Sequence, residues 1–164
     1  MRNPVGITFS FLSTIIATWA FAAYSFTLKD QFGRSHSKSS IFKDKPLVLI
    51  AGDKLGTDEM ISKWEKEVRR LYNKRVNVFG LANLDPVPFF ISDNHVLSVL
   101  KKNCSKVSVL CDWDGTVYEK LEFPTDGIWV GIFNQGGQLL KRVAAKPVAQ
   151  GLAKLSPFIE QALD

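Results

Sequence analysis

The chain is short of the residues that most often carry chemistry. In 164 residues it has two cysteines, Cys104 and Cys111, and two histidines, His36 and His95. Neither histidine has a cysteine or a second histidine at ligand spacing, which argues against a metal site. Ser35 beside His36 is adjacency alone and brings no third group for a nucleophile triad. A basic stripe is also missing. The formal net charge is +5, but Lys and Arg are mixed with Asp and Glu. The densest stretch, "KWEKEVRRLYNKR", places opposite charges at i,i+4 and reads as a solvated helix face. With no basic run interleaved with aromatics, nucleic acid is not an expected partner. Repeats and low-complexity blocks are absent, and the length suits one domain of ordinary size.

Charge is missing from the N-terminus. Between Arg2 and Lys29 no residue is charged, and residues 5–23 form an apolar run. Ala20-Phe21-Ala22 and Ala23-Tyr24-Ser25 fit the small-x-small pattern of an export cleavage site. Residues 1–25 are therefore expected to be a signal peptide. An uncleaved membrane anchor is the alternative, because the run just reaches spanning length. Residues 26–164 form the domain, expected in the periplasm or secreted, and near a membrane only if the leader stays.

What is present is a packable core, with 46% hydrophobic and 23% charged residues. "KPLVLIAGD" (45–53) is a continuous apolar run ended by Gly52, as in a strand buried on both faces. Residues 57–73 put Ile61, Trp64, Val68 and Leu71 on one helical face, flanked by Met60 and Tyr72, with Thr57 as N-cap. "VNVFGLANL" (76–84) is a second buried strand. Residues 91–103 are a shorter helix capped by Ser92 or Asp93, and 106–112 are a strand. Residues 127–145 read as a hairpin turning at Gly136-Gly137. The last helix, 147–163, buries Val148, Leu152, Leu155, Ile159 and Leu163, and Pro157 should kink or restart it at Ser156. "GRSHSKSS" (33–40) reads as a loop. Helical crossovers demand parallel strands and the late hairpin antiparallel ones. The expected class is α/β, a central mixed β-sheet with helices on both faces, which is the thioredoxin-like fold.

"FTLKDQFGR" (26–34) resembles the opening hairpin of the peroxiredoxin and redoxin group, with its Phe-x-Leu-x-Asp-x-x-Gly pattern. "KPLVLIAGD" with the helix after it looks like that group's central strand and active-site helix. "VSVLCDWDGTVYEKLEF" is similar to its strand, turn and short helix, and "GIWVGIFNQGGQLLKR" to its closing hairpin. The resemblance covers nearly all of residues 26–163. It implies cell redox chemistry by a thiol at the N-terminus of the first long helix, where free N–H groups and the helix dipole stabilise a thiolate. Here that junction reads "AGDKLGTDEM", with neither Cys-x-x-Cys nor Thr-x-x-Cys, and Asp53, Asp58 and Glu59 bring negative charge. The group usually has a cis-proline before its last hairpin. Pro124 lies three residues early, and that role is not carried over.

"CDWDGTV" (111–117) also looks like the Asp-x-Asp start of haloacid-dehalogenase-like phosphatases, with Asp112 as nucleophile, Asp114 as acid and base, and magnesium between them. That group starts with this motif and needs well over a hundred residues after it; 50 follow Asp114 here, without a paired-acid motif. Asp and Gly after a strand are ordinary turn formers, and two carboxylates alone hold a divalent ion weakly.

Cys104 and Cys111 remain as thiol candidates. An exported chain with an even count invites a disulfide. Seven extended steps of about 3.3 Å, however, separate them by roughly 20 Å, where a bridge needs about 7 Å or less. Strand parity places Cys111 with Val107 and Val109 on one face, so a buried structural thiol is the favoured reading. A binding rim is expected where Asp53, Lys54 and Thr57 meet Trp113 and Pro124, at the strand ends where ligands bind in open sheets. The function read from this is a non-catalytic module binding a protein or peptide, with no cofactor. The alternatives are a thiol oxidoreductase or antioxidant enzyme using Cys111 or Cys104, and then the Asp112/Asp114 phosphatase. On export the chain should lose about two dozen N-terminal residues, a loss read directly from the intact mass of the exported form; a retained Met1 would make the segment an anchor.

Overall fold

The computed structural model describes residues 24–53 and 56–164. Residues 1–23 of the expected leader, and Lys54 of the expected rim, lie outside the described residues. The elements run β1 (Thr27–Asp30), β2 (Ser35–Ser37), α1 (Lys38–Ile41), β3 (Leu47–Gly52), α2 (Thr57–Tyr72), β4 (Asn77–Asn83), α3 (Asp93–Asn103), β5 (Ser108–Asp112), α4 (Thr116–Lys120), β6 (Ile128–Phe133), β7 (Leu139–Ala144) and α5 (Val148–Leu163).

All six residues of β3 are buried because the strand is central. It pairs parallel with β4 and antiparallel with β6 in a seven-stranded sheet of order β2-β1-β5-β4-β3-β6-β7. β5 continues the parallel set beside β4, and the antiparallel hairpin β1–β2 closes that edge. Because β3, β4 and β5 step in one direction, right-handed crossovers place α2 and α3 on the same face. There Val48, Ile50, Val78, Val109 and Cys111 pack under Ile61, Trp64 and Leu100, joined by Leu152, Leu155 and Ile159 of α5. On the other face Leu47, Leu49, Leu81 and Leu110 meet Ile41, Phe42, Val117, Tyr118 and Phe133.

The two faces are tied by polar anchors. Gln31, buried at the tip of the β1–β2 hairpin, donates its amide N–H groups to the carbonyls of Cys104 and Val107 at 2.9 and 2.8 Å. Its Oε1 accepts the Val109 N–H at 2.8 Å. Trp64, fully buried, donates its indole N–H to the Ala145 carbonyl, and Gly151 leaves room for its ring.

Several local details differ from the sequence reading. Residues 33–40 are not a loop. Ser35–Ser37 is an edge strand on β1, and Ser37 caps a single helical turn, its Oγ accepting the Ser40 N–H. A polar composition suits an edge strand as well as a loop. Helix α2 starts after Gly56, whose φ of 87° is the left-handed region, and Thr57 is its first buried residue rather than its cap. Leu71 is exposed, since it sits at the margin of the α2 face over an uncovered groove towards α5, while Tyr72 takes the buried position. Ser92 is the cap of α3. α5 runs through Pro157 without restarting; the ring is on the solvent side, and the Ser156 hydroxyl bonds the Leu152 carbonyl. Val148 and Leu163 at its ends are only partly buried.

Gln31→Leu keeps the volume but strands the Val107 carbonyl and the Val109 N–H, and leaves the Cys104 carbonyl only its long bond from the Val107 N–H. It should destabilise the protein by roughly 2–5 kcal/mol, measured by denaturant unfolding, whereas an exposed change such as Gln150→Leu should stay within about 0.5 kcal/mol.

Candidate functional site

The parallel strands β3, β4 and β5 all end at one pole, so the turns that follow them converge there. Asp53 and Gly56 lead into α2, residues 84–92 into α3, and residues 113–115 into α4. Between the first two connections is an open cleft of about 330 Å³. Its floor is Gly52, Ala82 and Leu84, one wall is Asp53, Thr57 and Asp58, and the other is Val87, Ile91, His95, Val96 and Val99. Gly52 must be glycine here, because a Cβ would lie 2.5 Å from the Thr57 hydroxyl. On the outer loop Phe89 is 99% exposed and Phe90 76%, their rings edge-to-face with centroids 5.8 Å apart. Asn103 at the end of α3 donates to the Asp58 carboxylate and ties the two walls together. The Oδ1 of Asp53 is sealed from solvent without a hydrogen-bond partner.

Neither cysteine opens into this cleft. Both are free and buried. Cys104 caps the C-terminus of α3, and its S–H lies 3.3 Å from the Asp58 carbonyl. Burial, and then the charge of Asp58, push its thiol up to about 12. Cys111 points into the α2 face as parity predicts, and burial followed by the Asp30 charge push it to about 12 as well. Burial of both thiols disfavours the thiolate form that nucleophilic and redox chemistry use.

The expected rim is divided. Asp53 and Thr57 line the cleft, whereas Trp113 and Pro124 do not. Trp113 is 39% exposed on the turn after β5, and the Pro124 carbonyl accepts the Tyr118 hydroxyl at 2.8 Å. The one cis peptide bond among the described residues is Lys146–Pro147. Asp112 and Asp114 separate just as clearly. Asp114 is exposed, its carboxylate accepting the Thr116 N–H in a turn that starts α4. Asp112 is not a turn residue. It ends β5 fully buried, and its Oδ2 accepts the Tyr118 N–H at 2.7 Å. In this structure the Asp112 carboxylate is therefore turned into the core and the Asp114 carboxylate into the turn, so the two are not presented together on the surface. The residues that sequence reasoning missed are those of the outer wall, although "PVPFF" (86–90) was a usable signal: two prolines hold two phenylalanines in a short connection.

No protein-family model and no curated protein sequence matches the chain. Solved structures do. The chain is similar to a secreted disulfide oxidoreductase of Mycobacterium tuberculosis homologous to E. coli DsbE, at 16% identity and a TM-score of 0.60, over 87% of this chain and 98% of that one. It is similar to the peroxidoxin BcpB of the same organism at 15% identity and a TM-score of 0.59, over 85% and 92%. The thioredoxin domain of a thiol-disulfide oxidoreductase of Bacteroides vulgatus matches at 13% identity and a TM-score of 0.61, over 84% and 94%. Likeness at these identities carries the fold, which is thioredoxin-like.

Burial raises the pKa of Asp112 to about 6, with Asp114 adding to the rise and the Tyr118 N–H opposing it. The folded state then holds this proton more tightly than the unfolded state, whose pKa is near 3.8. Stability from this group is complete below the unfolded value and is lost as pH rises through the folded one. Asp112→Asn removes the titration. Relative to wild type, the variant should therefore be more stable near pH 7 than near pH 4, by on the order of 2 kcal/mol in denaturant unfolding. A gap that does not change with pH would show that Asp112 does not titrate there.

Proposed function

We propose that the mature chain works outside the cytosol as a thioredoxin-fold module that binds an extended apolar segment of a partner protein in the cleft between α2 and α3. It carries out no thiol chemistry of its own. The observation that supports this most directly is what stands at the N-terminus of α2: Asp53, Gly56, Thr57, Asp58 and Glu59, without a thiol, next to an open apolar cleft. Phe89 and Phe90 are exposed on the loop whose Pro86, Val87, Pro88 and Ile91 line the cleft, and exposed aromatics beside a cleft are effective anchors for a bound segment. The floor offers apolar surface for alternate side chains of a bound segment, and His95 and Asp58 offer polar partners at its margin. The apolar leader supports a place outside the cytosol, as does a secreted structural neighbour.

Two measurements test this reading. In the folded full chain both thiols should react slowly with a disulfide reagent and become fast only on unfolding, and hydrogen peroxide should be consumed no faster than in a reductant control. One fast thiol, or a peroxidase rate lost in Cys104→Ser or Cys111→Ser, would replace the module by an oxidoreductase. For binding, apolar peptides selected from a displayed library should lose about tenfold or more in affinity with Phe89→Ala plus Phe90→Ala. Unfolding stability should change by about 0.5 kcal/mol or less, because both rings are exposed. Peptides that bind both forms equally would place the site elsewhere.

A further inference from the structure

We propose that the pole opposite the cleft holds a second site, which binds a free phosphate compound carrying two or more phosphoryl groups. The site is a groove of about 630 Å³ where β4 and β5 begin, between the tip of the β1–β2 hairpin and the C-terminal end of α2. Five cations line it, Arg34, Lys45, Arg69, Lys74 and Lys106, and no Asp or Glu does.

Two of the five are fixed. Arg34 is held by the buried Asp30 at 2.8 Å and donates to the Ser108 hydroxyl at 3.0 Å. Arg69 is held by Glu65 at 2.6 Å. Those acids offset the two arginines. Among the described residues, Lys45, Lys74 and Lys106 have no acidic partner within 4 Å. Three lysines without an acidic partner thus line one concavity, where like charges raise the local positive potential.

The donor set selects among anions. Ser108 accepts from Arg34, which leaves its own O–H to donate into the groove, and Ser105 brings a second hydroxyl. Hydroxyls and ammonium groups arriving from separate elements suit the many acceptor oxygens of tetrahedral phosphoryl groups better than one planar carboxylate. Three uncompensated charges call for more than one phosphoryl group. The source is a free compound rather than a bilayer. Tyr24, the first described residue, and Phe32 of the groove lie at opposite ends of β1, so the groove is not at the N-terminal end of the described domain.

The test uses the full chain with inorganic tripolyphosphate as probe, titrated calorimetrically at low salt. Saturable binding is expected. Lys74→Glu plus Lys106→Glu should weaken it by about tenfold or more, and Lys74→Gln plus Lys106→Gln by less. Both lysines are exposed, so these variants should fold, which circular dichroism checks. Lys141→Glu plus Lys154→Glu, an equal charge change at exposed residues that do not line the groove, should leave affinity within about twofold. Equal weakening by Lys141→Glu plus Lys154→Glu would reduce the effect to net charge and overturn the site. So would non-saturable binding, or equal competition by oligoglutamate of the same charge. Equal competition by the soluble lipid headgroup glycerophosphoglycerol would overturn the assignment to a free polyphosphate.

Discussion

Three parallel strands lie side by side in the middle of the sheet, and each can reach the next only by climbing back along it. That constraint sets the rest. β3 is paired on both sides and covered on both faces, so its residues are apolar without alternation. Its neighbours are reached through α2 and α3, which the right-handed rule puts on one face. Both helices start at the pole where the strands end and finish at the pole where they begin. The space between their first turns, and the loop that feeds α3, is the cleft. The space beneath the last turn of α2 is the basic groove. Two concavities at opposite poles are thus consequences of one connectivity.

The same geometry sorts the charges. Negative side chains are favoured at helix N-termini and positive ones at C-termini. α2 carries Asp58 and Glu59 in its first turn and Arg69 and Arg70 in its last; α3 carries Asp93 at one end and Lys101 and Lys102 at the other. Because the helices are parallel to each other, these preferences add instead of cancelling. The strand-end pole gathers Asp53, Asp58, Asp93, Asp112 and Asp114, with Lys63 and Lys146 offsetting Glu59, and the other pole gathers Arg34, Lys45, Arg69, Lys74 and Lys106. Dipole compensation accounts for Arg69, at the end of α2. It does not account for Arg34, Lys45 or Lys106, which come from a hairpin and two connections, and that excess separates the groove from an ordinary helix end.

The sheet was legible in the sequence because continuous β-branched runs have few other solutions, and Gly136-Gly137 admits little besides a hairpin. What was not legible depended on partners remote in sequence. Leu71 and Tyr72 are adjacent, apolar and near the margin of one helical face; which of them is buried depends on how far α5 reaches over α2. Ser35–Ser37 has the composition of a loop, and becomes a strand only because β1 offers a free edge. Asp112 and Asp114 look alike in "DWDG", yet Asp112 is the last residue of β5 and is held in the core by the Tyr118 N–H, while Asp114 lies past the strand end on the exposed turn. The rim was half legible for a related reason. Asp53 and Thr57 follow from the position of the strand end, but Trp113 and Pro124 lie on connections whose direction no local pattern fixes, and the actual outer wall comes from the loop before α3.

The missing thiol has to be weighed with its surroundings. A cysteine placed in the 53–58 turn would gain the N–H groups at the start of α2, a stabilisation of a few tenths to about 1 kcal/mol for an anion. It would face Asp53, Asp58 and Glu59 in the same turn. The reach of this acidic pole is visible at Tyr118, whose hydroxyl is driven well above its ordinary pKa by burial first and then by the charges of Asp53 and Asp126. A group that far round the pole still feels Asp53, so a thiolate beside it would be raised, not lowered. Glu59 is offset by the Lys63 ammonium at 2.6 Å and by the charge of Lys146, which leaves Asp53 and Asp58 as the acids flanking the start of α2. An apolar segment carrying neutral or basic groups is what such a surface can hold without opposing its own field.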